Sequence, residues 1–193
     1  SQGLILFNHD ENTLTESSQK DDNTIAIFLN EDFKINSQIK LLDSTKSIFE
    51  PGEYEVNNIP IQSHAVKLNT ENNDESTNIF SAISEGMTIC YLNEISKITI
   101  PANVTESIGK IDILICISND SSDQSVESIN TLLSSIDPKI LIIVEKESNQ
   151  DTTEIYSKLI KGLGQSADDP VSNANITKSS LGDTLKVVNL KKS

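Results

Sequence analysis

The chain has 193 residues, enough for one domain with a real core, and its 36% apolar fraction is carried largely by Ile, Leu and Val. The net charge is −14, every basic residue is Lys and there is no Trp. That balance argues against a nucleic-acid partner, which needs a basic face, and against an anionic membrane surface. No apolar run approaches the roughly 20 residues that span a bilayer, and no basic region followed by an apolar one opens the chain, so a soluble, cytoplasmic, single-domain protein (1–193) is expected.

Residues 3–7 read as a short buried strand that ends in the turn-rich cluster Asn8-His9-Asp10, and residues 10–23 read as a polar loop. The run 24–29 is continuously apolar, as in a strand buried on both faces. Short strands are expected at 47–49, 52–56 and 59–65. Asn57-Asn58 joins the last two as a hairpin, because Asn tolerates the positive φ of a tight turn. After a polar loop at 69–76, strands at 78–84 and 87–92 flank a second hairpin turn at Glu85-Gly86.

The second half alternates strand and helix. Residues 111–117 and 140–144 are uninterrupted apolar strands. Between them, Val126, Ile129, Leu132, Leu133 and Ile136 share one face of a helix over 122–136 that Pro138 stops. A helix over 151–163, with Ile155, Leu159, Ile160 and Leu163 inward, ends at Gly164. Closing strands are expected at 176–178 and 184–190. This order predicts a layered α/β fold. The runs 25–29, 111–117 and 140–144 should be its central strands, and the two helices should cover its outer faces.

Cys90 and Cys116 both sit in apolar strand-like runs, which predicts buried free thiols rather than a disulfide, a redox pair or a metal site. Gly-x-Ser-x-Gly is absent, and Gly162-Leu163-Gly164 ends a helix where a phosphate-binding loop would begin one.

Four segments, in order, carry a family resemblance. Pro51-Gly52-Glu53-Tyr54-Glu55-Val56 with Ile59-Pro60-Ile61-Gln62 resembles the signature stretch of bacterial metal-dependent hydrolases of the metallo-β-lactamase superfamily. Glu85-Gly86-Met87-Thr88-Ile89-Cys90-Tyr91-Leu92 resembles the hairpin before that family's His-Leu-Gly-Asp motif. Ile108-Gly109-Lys110-Ile111-Asp112-Ile113-Leu114-Ile115 resembles the helix-to-strand segment that follows, and Asp137-Pro138-Lys139-Ile140 the approach to the last metal-binding strand. The resemblance implies a four-layer αββα sandwich, with metals held at one edge by loops at the strand ends. It also implies that the chain starts at the family's second strand, without a counterpart of the first.

The same resemblance implies a degenerate metal site. The family's His-x-His-x-Asp-His motif falls on Asn30-Glu31-Asp32-Phe33-Lys34-Ile35, so the ligand positions become Asn30, Asp32, Lys34 and Ile35. Its His-Leu-Gly-Asp falls on Tyr91-Leu92-Asn93-Glu94, which puts Glu94 at the bridging aspartate, and its last histidine falls on Glu145. The remaining histidine position lies near Leu68, which His64 reaches only by a shift. A two-metal site needs about five or six nitrogen and carboxylate ligands, and the chain has two histidines, His9 and His64. His9 reads as a turn residue and His64 as a structural one, and Glu53-Tyr54-Glu55 as hairpin packing.

The expectation is therefore a catalytically inactive protein of this fold, with no cofactor, acting by binding or assembly. The alternative is a metal-dependent hydrolase that holds a divalent cation through Asp32, Glu94 and Glu145, with Asn30 and Glu31 beside them. Without the family's first strand, strand 3–7 has an open edge. It is expected to be completed by a second copy, by a partner or by upstream residues, or else to be covered by loop 10–23.

Overall fold

The computed structural model describes residues 4–7, 24–27, 46–69, 75–92, 97–117, 123–144, 150–164 and 169–190. Strands β1 (Leu4–Phe7), β2 (Thr24–Ile27) and β3 (Lys46–Ile48) form a parallel three-stranded sheet in that order. Strands β4 (Gly52–Val56), β5 (Ile59–Lys67), β6 (Ser76–Ser84) and β7 (Met87–Leu92) form an antiparallel meander. Strands β8 (Ile113–Ile117), β9 (Ile140–Val144) and β10 (Lys186–Leu190) add to β7 in parallel, completing a seven-stranded sheet.

Local chemistry fixes the turns. Asn57 and Asn58 (φ 54° and 62°) and Glu85 and Gly86 (φ 51° and 71°) take left-handed conformations in pairs, the signature of two-residue hairpins whose twist matches the strands. Helix α1 (Ala102–Ile108) ends at Gly109, φ 72°, whose N–H reaches the Thr105 carbonyl. Helix α2 (Asp123–Ile136) ends where Asp137 turns left-handed (φ 50°) and donates to the Leu133 carbonyl at 2.8 Å, just before Pro138. Helix α3 spans Gln150–Gly162.

One residue stitches the amino ends of the parallel strands. Asp112 exchanges backbone and side-chain bonds with Thr88: its N–H donates to the Thr88 carbonyl and its Oδ2 accepts from the Thr88 N–H, both at 3.0 Å. Its own carbonyl accepts from the N–H groups of Lys139 and Ile140. β7, β8 and β9 thus start from a common anchor.

The parallel strands are apolar on both faces because both are covered. Leu114, Cys116, Leu141 and Ile143 face Ile129, Leu132, Leu133 and Ile136 of α2 and Tyr156, Leu159 and Ile160 of α3. On the opposite face, Ile61, Phe80, Ala82 and Tyr91 pack against Ile25, Ile27 and Ile48 of the small sheet. The rest of that face, with Met87, Ile113, Ile140 and Ile142, is covered by Ile176 and Leu181 from the connection between α3 and β10.

Three sequence expectations change. Both long helices cover one face of the large sheet, not two outer faces. The order β7-β8-β9-β10 moves steadily outward, and right-handed crossovers then place every connecting helix on the same side. The described residues show three layers, helix, sheet and sheet; the fourth layer that the resemblance implies falls outside the described residues. No strand forms at 176–178. Thr177 and Ser180 instead form a reciprocal cap around a single 3-10 turn, Lys178–Ser180, because their hydroxyls compete with a ladder for the backbone. The last strand begins at Lys186, not at 184. Apolar spacing also did not reveal α1, which has seven residues and buries only Val104.

Leu159 is fully buried and Leu132 nearly so, in the cluster that joins helices to sheet. Truncating either to Ala should lower unfolding free energy by about 2–5 kcal/mol. Urea denaturation measures it, and near-neutral values at both would contradict this packing.

Candidate functional site at the carboxyl ends of the strands

In sheets with parallel strands, ligands bind beyond the carboxyl ends. Leu92, Cys116 and Ile143 stand in one row, so β7, β8 and β9 end at the same edge. In the small sheet, Phe7, Ile27 and Ile48 also share a row at the ends of β1, β2 and β3. Two contacts bring these sets of ends together. The Phe7 ring stacks on Tyr91, the penultimate residue of β7, with centroids 4.6 Å apart and planes at 29°. Asn78 Nδ2, buried on β6, donates at 2.7 Å to the carbonyl of Phe49, the residue after β3.

The positions singled out in the sequence follow these ends along the chain. Asn30, Asp32, Lys34 and Ile35 come after β2, Glu94 two residues after β7, and Glu145 directly after β9. All six, with Glu31 and His9, lie outside the described residues. The structure brings together the strand ends they follow.

His64 is described, and it faces the wrong way for this site. It stands opposite Ile79 on β5, while its neighbour Ser63 stands opposite Phe80. Successive strand residues point to opposite faces. Ser63 therefore joins Phe80 and Tyr91 on the inter-sheet side, and His64 joins Ile79 and Val66 on the helix side. His64 Nε2 and Ser63 Oγ are both buried with no hydrogen-bond partner among the described residues.

One row of the inter-sheet face close to the candidate site reads Ser63, Phe80, Tyr91, Ile115. It offers hydroxyls and hydrocarbon rather than the imidazoles and carboxylates of a two-metal centre. Among the described residues, no group of three or more His, Cys, Asp or Glu could hold a metal ion.

Neither thiol is a nucleophile. Cys90 and Cys116 are free, lie on the helix-facing side, and burial pushes both up to about 12. The signature segment also has a structural explanation. The half-buried Tyr54 donates to the Glu50 carbonyl at 2.9 Å and packs on the inter-sheet core. Burial, and then the charge of Glu50, raise its pKa. A Cβ at residue 52 would sit 3.3 Å from the Tyr54 hydroxyl, and φ there is 156°, so Gly lets the ring fold back over the turn.

Sequence reading did not identify the Phe7–Tyr91 stack or the Asn78–Phe49 bond. The one available signal was Asn78 itself, a polar residue at the start of the apolar run Ile79-Phe80. Among the described residues, no helix is long and apolar enough to cross a membrane.

No family model matches the chain, and no curated protein matches it. Among solved structures, it is similar to a protein from Thermotoga maritima described as a Zn-dependent hydrolase of the metallo-beta-lactamase superfamily. That likeness has a TM-score of 0.60 and 16% identity, and covers 86% of this chain and 81% of the other. It is also similar to the metallo-beta-lactamase fold protein YhfI from Bacillus subtilis, at TM-score 0.49 and 10% identity, over 92% of this chain and 66% of that one. The first likeness and the sheet topology define the class: this chain has a metallo-β-lactamase-like fold.

The buried thiols give a pH prediction. Their folded pKa is raised from 9.0 to about 12, so the native state holds these protons while the unfolded chain releases them. Their contribution to stability should be complete below pH 9 and lost as pH rises towards about 12. Native protein at neutral pH should not react with a thiol-specific disulfide reagent, and both thiols should titrate once urea unfolds it. Rapid native labelling would refute their burial.

Proposed function

We propose that this chain is a non-hydrolytic member of its fold class, a single domain of residues 1–193 that holds no catalytic metal and acts by binding or assembly. The orientation of His64 carries the reading. It is one of two histidines in the chain, and its strand position puts it on the helix side of the sheet rather than between the two sheets. The sequence after β2 supports the same reading, because Lys34 sets a cation and Ile35 a hydrocarbon where a metal site needs donors. A soluble, cytoplasmic protein without a nucleic-acid partner agrees with the charge of −14.

Metal analysis of protein purified without chelator tests this. Zn, Mn and Fe should fall far below one per chain. Stoichiometric metal that disappears in Asp32→Ala or Glu94→Ala would overturn the proposal in favour of a carboxylate-ligated hydrolase at Asp32, Glu94 and Glu145.

Assembly would proceed through β1. Among the described residues it pairs only with β2, at the margin of the small sheet. Unpaired strand edges recruit further strands, and closed symmetric pairs are the commonest outcome. Light scattering should report a dimer, and a strict monomer at high concentration would remove this route.

A further inference from the structure

A surface groove of about 470 Å³ runs between α2 and the segment 97–101, on the helix-covered side of the large sheet. Its floor is apolar: Ile98 and Leu132 are 5% and 6% exposed, and Ile100 packs beside them. Its rim is polar, and the hydrogen bonds there decide what it can take.

Thr131 and Ser135 line the rim from successive turns of α2. Thr131 Oγ1 donates to the Glu127 carbonyl at 3.0 Å, and Ser135 Oγ donates to the Leu132 carbonyl at 2.8 Å. A hydroxyl has one proton, so both have committed theirs to the helix and offer only lone pairs to the groove. Glu127 adds a carboxylate, which only accepts. Asn69 Nδ2 donates at 2.9 Å to Thr99 Oγ1 across the groove's end, so one amide proton is engaged within the wall. Among the described residues, no Lys lines the groove. The second Asn69 amide proton and the Thr99 hydroxyl leave donors at that end only; along the α2 wall an anion would meet lone pairs and a carboxylate, and a neutral apolar ligand would strip water from them without replacing its hydrogen bonds.

A donor-rich cation on an aliphatic stem fits both parts. Its methylenes cover Ile98 and Leu132, as long charged side chains cover apolar surface in proteins. Its ammonium donates to Glu127 and the two hydroxyls. The net charge of −14 draws such cations towards the surface. We propose that this groove binds an aliphatic ammonium ligand, a diamine or longer polyamine. The groove opens on the helix-covered face of the large sheet, and the proposal does not use the candidate ligand positions.

Calorimetric titration of the full chain with diaminobutane, at fixed ionic strength, tests the proposal, with butanediol as the neutral control. Saturable binding at one site per chain is expected for the diamine and none for the diol. Glu127→Gln should weaken binding about fivefold, the size of one partly exposed ion pair. Glu106→Gln, on exposed α1 outside the groove, should leave it unchanged. Circular dichroism checks that both variants fold. Absent binding, equal binding of the diol, or equal weakening by the two substitutions would overturn the proposal; the last would mean a general ionic atmosphere rather than a site.

Discussion

The register of β5 against β6 is the constraint on which the functional reading depends. Seven residue pairs, from Ile61↔Ala82 to Lys67↔Ser76, hold it. Side chains alternate, so a slip of one residue would turn His64 to the inter-sheet face and Ser63 to the helices. The same slip would move Ile61 out of the inter-sheet core and Val66 out of the helix-facing core, and both are almost fully buried. Burying two such aliphatic side chains is worth roughly 3–6 kcal/mol, far more than one histidine at a strand end could return. The hydrophobic pattern of one strand thus keeps His64 off the inter-sheet face.

Among the described residues, the two sheets are held together by contacts that do not involve the candidate positions. The large sheet is held by apolar rows on both faces and by the Asp112 anchor at its amino end. The candidate positions lie beyond the opposite end. A stacked aromatic pair, Phe7 with Tyr91, and one hydrogen bond, Asn78 to the Phe49 carbonyl, join the two sheets near that end.

Much of the architecture was legible in the sequence wherever a local rule had a single solution. Asn57-Asn58 and Glu85-Gly86 read as hairpins because few residues accept two successive positive φ angles. The strands around Leu114 and Leu141 read as buried because nothing polar interrupts them. The shared face of α2 and α3 was not legible, because it follows from strand order, which single-sequence periodicity does not encode. The turn at Thr177–Ser180 was missed because Ile176 suggested a ladder while the adjacent hydroxyls favoured a local cap. At the site, Lys34 and Ile35 carry the sequence expectation, and both lie outside the described residues. The side taken by His64 could not be read, because it depends on one residue of register.

The connection between α3 and β10 has a consequence for synthesis. Met87, Ile113, Ile140 and Ile142 belong to strands made well before Ile176 and Leu181, which cover them. While the chain is being made from its amino end, this half of the inner face has no cover of its own until that late segment arrives. Lys178 then fastens it through the Gly86 carbonyl at 2.9 Å. The nascent protein therefore passes through a stage with an apolar sheet face open to solvent, the kind of surface that chaperones protect from aggregation.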